Sequence, residues 1–111
     1  MTGTIDIGAA QDVPRLGARV VLAGALRIAV FRTADDAYFA LDDRCPHRGG
    51  PLSQGIVHGA RVTCPLHNFV IELESGQAAA PDKGCVARYD VLVEAGRLRL
   101  ALDSRKRMAA E

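Results

Sequence analysis

Two short stretches decide the reading of this chain: Cys45-Pro46-His47-Arg48-Gly49-Gly50 and Cys64-Pro65-Leu66-His67. Each opens on Cys-Pro and supplies one thiol and one imidazole, spaced C-x-H in the first and C-x-x-H in the second. Soft sulfur together with imidazole suits iron–sulfur clusters, zinc or copper, and suits magnesium or calcium poorly. The proline after each cysteine fixes the chain and removes an N–H beside the sulfur. Gly49 and Gly50 follow where backbone passes close to a bound group, and their amides can donate to sulfur.

The order of the four residues separates the metal classes. Zinc sites of the Cys₂His₂ kind usually pair cysteine with cysteine and histidine with histidine. Here each clip carries one of each, as in a [2Fe-2S] centre whose first iron takes both cysteines and whose second takes both histidines. Cys45, His47, Cys64 and His67 are thus the expected ligands of one cluster, and structural zinc is the competing occupant. Two thiolates against a core of about two positive charges leave the oxidised site formally near neutral, so it accepts an electron more readily than a four-cysteine site. Each imidazole also keeps one ring N–H that can couple reduction to proton uptake.

Working outward, the clips hang from strand-like runs. Thr4 to Gly8 reads as a first strand, and Pro14 marks a turn or an edge because it cannot donate to a ladder. Arg19–Leu22 and Leu26–Phe31 flank Ala23-Gly24-Ala25 as a hairpin. After the polar turn at Thr33–Asp36, Ala37–Leu41 runs directly into Asp42-Asp43-Arg44 and the first clip. Between the clips, Ile56–Gly59 and Arg61–Thr63 read as short strands, and Val70–Leu73 leads away from the second clip. Val86–Val93 and Arg97–Leu102 form a closing hairpin. The fold class is all-β: an antiparallel sandwich or open-barrel base, residues 1–102, with a cluster-binding part inserted at about 43–84. Residues 103–111 read as a charged, frayed tail.

The composition bounds what such a chain does. At 111 residues, 49% of them hydrophobic, it is long enough for one domain with a real core. A net charge of +1 implies no nucleic-acid partner. No apolar run approaches membrane-spanning length, and the N-terminus has no basic segment followed by an apolar run, so neither an anchor nor a signal peptide is expected. Of the three cysteines, two are assigned to metal. The remaining Cys85 reads as a small buried hydrophobe, which fits a reducing cytoplasm. His58, beside Gly59, reads as structural or solvated.

With these residues in view the chain resembles the Rieske proteins, over nearly its whole length from Thr4 to about Leu102. Within that family it is similar to the small subunit of assimilatory NAD(P)H nitrite reductase. The finer match rests on the run from Asp43 to Val57, on Val62-Thr63-Cys64-Pro65-Leu66-His67-Asn68, and on Ala80-Pro81-Asp82-Lys83-Gly84-Cys85. The resemblance implies that Pro81 belongs to a proline loop covering the cluster. It also implies a role in electron transfer within a reductase taking nitrite to ammonia, on a larger subunit bearing flavin and sirohaem. Members of the cytochrome bc type carry an extra cysteine in each clip, and hydroxyl groups aimed at the cluster sulfurs. Neither is present here, which implies a low-potential, ferredoxin-like member.

Two other readings stay open. One is the free ferredoxin of an aromatic-ring dioxygenase, and the other is a zinc-stabilised interaction module without redox role. The chain has no nucleotide-binding glycine motif and no catalytic dyad. If it docks on a partner cluster-end first, Arg48, Leu52 and Gln54 flank that edge in sequence and are the expected contacts.

Overall fold

Among the residues described by the computed structural model, 4–45, 50–65, 69–79 and 84–106, the chain forms two antiparallel sheets. The larger is built from β1 (Thr4–Ala9), β2 (Gly17–Ala23), β3 (Leu26–Arg32), β4 (Tyr38–Asp42), β8 (Arg88–Glu94) and β9 (Arg97–Lys106), in the order β1-β9-β8-β4-β3-β2. The smaller contains β5 (Ile56–His58), β6 (Arg61–Thr63) and β7 (Val70–Glu72) in that order. Since β4 and β8 are neighbours in the larger sheet, everything from residue 43 to 87 is an excursion between two paired strands. The all-β class expected from the sequence is present, and the smaller sheet lies within the excursion between β4 and β8.

The larger sheet curls. Its edges are β1 and β2, yet the Arg19 guanidinium on β2 donates to the carbonyl of Ile7 on β1 at 2.9 Å. A register shift between Asp6 and Gly8 bends β1 against β9, as an extra residue in one strand does. The base is therefore an open barrel rather than a sandwich of two flat sheets.

The two central strands serve two cores. Side chains alternate along a strand, so the unbroken apolar run Ile28-Ala29-Val30-Phe31 must present apolar groups to both faces. Ile28 and Val30 pack inside the barrel with Ile7, Val13, Ala40, Tyr89, Leu98 and Leu100. Ala29 and Phe31, with Leu41, turn outward beneath the small sheet and pack with Leu52, Val57, Val62, Ile71 and Leu73. The inserted part is thus mounted on the outer face of β3 and β4.

The return from the small sheet to β8 needs one residue without a side chain. Gly76 sits at φ +78, and a Cβ there would lie 2.2 Å from the carbonyl oxygen of Val86. The same stretch is bonded in both directions, Gly76 N–H to Glu72 and Val86 N–H to Gly76, each at 2.8 Å. Only glycine meets both demands without strain.

The final strand continues past Leu102, where the sequence expects it to end, to Lys106. The frayed tail expected from residue 103 is corrected accordingly, and residues 107–111 lie outside the described residues. Arg105 supplies part of the reason. It donates to the Tyr89 hydroxyl at 3.0 Å and to the Asp42 carboxylate at 2.8 Å, while Tyr89 donates to the other Asp42 oxygen. Burial and the Asp42 carboxylate push the Tyr89 phenol up to about 12 from an ordinary 10.0. A phenol whose pKa is higher in the folded chain stabilises the fold fully below pH 10, and that contribution fades as the pH rises from about 10 to 12. Tyr89→Phe should lower the stability at neutral pH by about 1–2 kcal/mol in urea unfolding. It should also flatten the decline between pH 10 and 12 relative to the parent.

Candidate functional site

Cys45 stands just beyond the end of β4, and Cys64 just beyond the end of β6. Both are buried, at 1% and 0% exposure, and both belong to the core between the barrel and the small sheet. Each cysteine closes its loop in the same way. The Cys45 amide donates to the carbonyl of Gly50, and the Cys64 amide donates to that of Phe69, both at 2.7 Å. Two unrelated stretches of sequence therefore adopt the same closure, a cysteine N–H bonded to the carbonyl five positions on. The second loop is the connection of the β6–β7 hairpin, where Thr63 faces Val70.

The close approach of the two loops depends on Gly55. A Cβ there would fall 2.3 Å from the Thr63 carbonyl oxygen and 2.9 Å from Val62 Cγ2. Gly55 leaves the short 3₁₀ turn Leu52–Gln54 that follows the first loop, and Thr63 immediately precedes Cys64. The missing side chain thus brings the exit of one loop against the entrance of the other.

The first loop has a second latch that the sequence reading did not assign. The Asp43 carboxylate has 0% exposure and accepts three hydrogen bonds: from Ser53 N–H at 2.7 Å, Ser53 Oγ at 2.9 Å and Arg27 Nε at 2.9 Å. Its own amide donates to the Arg27 carbonyl at 2.8 Å. Asp43 and Ser53 both belong to the stretch that carries the family resemblance. Their spacing about the clip was the available signal, and only the fold shows that they meet.

Leu52 is fully buried in the core beneath the small sheet, so it is no surface contact. That corrects its placement on an exposed docking rim: the 3₁₀ turn points it inward between β3 and the small sheet. Gln54 is exposed, and so is Ile56 at 70%. His58 is exposed, with its ring Nε2 2.7 Å from Thr63 Oγ1, a link between paired strands. Cys85 is buried and faces Gln77 across an isolated bridge. The amide of Ala78 donates to the Gly84 carbonyl at 2.9 Å and so closes the base of the loop that holds Pro81. His47, Arg48, His67 and Pro81 themselves lie outside the described residues. Among the described residues no group of three or more His, Cys, Asp or Glu is placed to hold a metal, so the two cysteines are the described part of the expected set.

The two cysteines fit a sulfur-rich metal group. A thiolate withdrawn from water is costly unless a positive charge meets it, and iron is such a partner. Two buried cysteines at the mouths of matching loops, each loop with a histidine in its sequence, match the mixed donor set of a [2Fe-2S] centre.

Comparison with known proteins bears directly on this. The family model of the Rieske [2Fe-2S] domain matches residues 3–90. The anthranilate 1,2-dioxygenase ferredoxin subunit of Burkholderia cepacia is 37% identical over 91 residues, covering 81% of this chain and 80% of that one. The vanillate O-demethylase oxygenase subunit of a Pseudomonas strain is 36% identical over 55 residues, but the chain spans only 17% of its length. Among solved structures, a chain from the complex of reduced oxygenase and oxidized ferredoxin in carbazole 1,9a-dioxygenase superposes with a TM-score of 0.81 at 28% identity, covering 93% of this chain and 95% of that one. A Mycobacterium tuberculosis protein described as a "putative NADH-dependent nitrite reductase small subunit" superposes with a TM-score of 0.82 at 22% identity, covering 91% and 96%. At that identity the likeness is one of fold. From its fold, its paired cysteine loops and this match, the chain belongs to the Rieske [2Fe-2S] family, with a Rieske-type cluster as its cofactor and electron transfer as the work of the domain.

Proposed function

We propose that this chain is a one-cluster electron carrier for a larger oxidoreductase, holding its cluster with Cys45 and Cys64 on one iron and His47 and His67 on the other. The observation that carries this is the twin closure of two buried-cysteine loops on one face of a barrel. When bound, the cluster supplies one-electron chemistry, and the rest belongs to this chain's own residues. The cysteine amides and Asp43 hold the loops in place. The apolar floor of Phe31, Leu41, Leu52 and Ile71 keeps water from the cysteine side. The histidine side is the expected route for the electron.

Two partners compete, and identity over four fifths of both chains supports one of them. The ferredoxin subunit of a ring-hydroxylating dioxygenase is supported by 37% identity across four fifths of both chains. The small subunit of an NAD(P)H nitrite reductase, with its flavin and sirohaem partner, is supported by the residues between the clips and by a likeness of fold. One assay separates them. The chain, reduced by a flavin reductase, is mixed either with the terminal oxygenase component of a dioxygenase or with a nitrite reductase large subunit. Substrate-dependent reoxidation is expected with the oxygenase. Reoxidation only by the large subunit, in the presence of nitrite, would transfer the assignment to nitrite reduction, and reoxidation by neither would overturn the carrier role for both.

A further inference from the structure

The two cysteine loops are built alike at their necks but anchored differently. Both carry the cysteine N–H closure. Only the first, among the described residues, is also gripped by a buried carboxylate reaching from its entrance to its exit. Asp43 precedes the loop, Ser53 follows it, and the carboxylate takes both the N–H and the hydroxyl of Ser53 while Arg27 of β3 holds it from the barrel side. The geometry points to Asp43 as a positioning residue for the cluster: it sets where the first ligand loop stands relative to the second, and with it the retention and electronic state of the bound group. This rests on the proposed ligand set, because the loop matters to the cluster only if Cys45 and His47 bind it.

All three groups facing the carboxylate, Ser53 N–H, Ser53 O–H and Arg27 Nε–H, are arranged as donors, and an ionised carboxylate only accepts. Asparagine has nearly the same shape but turns an NH₂ group toward at least one of them. A donor then faces a donor at a side chain with 0% exposure, where unmade bonds cost most. Ser53 is also one residue from Leu52, the buried anchor of the same 3₁₀ turn. Releasing the carboxylate therefore loosens the loop exit along with its entrance. Groups that orient metal ligands from behind typically change metal affinity or activity about 10–100-fold when removed.

The test uses the cluster-loaded protein and four variants: Asp43→Asn, Ser53→Ala, Ser53→Thr and Leu98→Ala, the last a destabilised control in the barrel core away from the loops. The readouts are the g values of the reduced cluster by EPR and the rate of cluster loss to an iron chelator, measured at an equal interval below each variant's melting temperature. Deuterium uptake by the 43–53 peptide is followed in parallel. Asp43→Asn and Ser53→Ala are expected to shift the g values, to lose the cluster about 10-fold faster or more, and to raise uptake in that peptide. Ser53→Thr keeps the hydroxyl and should stay within about twofold of the parent. Leu98→Ala should melt earlier with unchanged g values. If Asp43→Asn and Ser53→Ala behave like Leu98→Ala, Asp43 serves only the fold and the proposal falls. Should Asp43→Asn fail to fold, Ser53→Ala decides alone. Cys45→Ser tells the two levels apart: a retained native signal overturns the ligand set and Asp43's role with it, whereas a lost signal beside native Ser53→Ala and Asp43→Asn overturns Asp43's role alone.

Discussion

Cys45→Ser and Cys64→Ser are each expected to yield a colourless protein with no reduced-state EPR signal and less than about a tenth of the parent iron content, a loss in line with removal of a direct ligand. The reason lies in the geometry of the necks. Each cysteine is buried at the point where its loop closes on itself. Serine preserves the size, and its N–H can keep the bond to Gly50 or Phe69. Its hydroxyl, however, is a hard and poorly ionised donor where soft sulfur is wanted. Cys85→Ser provides the comparison. That residue is also buried, but it lies on the stretch leading back to β8, at an isolated bridge with Gln77, and its replacement should leave colour and signal in place. A bleached Cys85→Ser protein alongside a coloured Cys64→Ser protein would reverse the assignment. Zinc analysis of the purified parent completes the measurement, because a zinc-bound chain would be colourless from the start.

Leu52→Asp should be among the most damaging single changes in the molecule, and the damage should fall on folding before any effect on a partner. The side chain is fully enclosed among Phe31, Leu41, Val57, Val62 and Ile71, where the small sheet rests on the barrel. Truncation of such a leucine to alanine typically costs about 2–5 kcal/mol. An unpaired carboxylate in the same place costs about 3–5 kcal/mol or more, a large share of the roughly 5–15 kcal/mol that holds a domain together. Urea unfolding should show either a collapse of the midpoint or separate loosening of the inserted part, with the cluster lost during purification. Gln54→Asp, two residues on and exposed, should leave both the unfolding curve and the colour unchanged. A Leu52→Asp protein with parent stability and a native spectrum would show that this side chain is not the anchor described.

The contrast between Leu52 and Gln54 marks where reading the sequence stops. Both flank the first clip at similar distance, in a stretch rich in glycine, proline and polar residues that looks like surface loop. Nothing local distinguishes them. What does is the 3₁₀ turn that Asp43 holds by Ser53, which turns one side chain into the core and the other to water. The last strand teaches the same lesson. Asp103 to Lys106 reads as a charged tail, and charge usually signals solvent. Arg105, however, finds Asp42 and Tyr89 on two strands far away in sequence, and the strand continues to Lys106.

The sequence by itself determined the type of cofactor and the class of fold. A metal donor set is a matter of residue types at short spacing, and short spacing survives whatever the rest of the chain does. Strand alternation, glycine turns and the order Cys-His, Cys-His are equally local. The tertiary structure alone decided that β3 and β4 are walled on both faces, that Gly55 lets one loop exit touch the other's entrance, and that a buried carboxylate ties the first loop to the barrel. Each of these joins residues from different elements of the chain. Which of many polar groups meets which is set by the packing of the two sheets, and packing energy is shared among contacts that no short window of sequence contains.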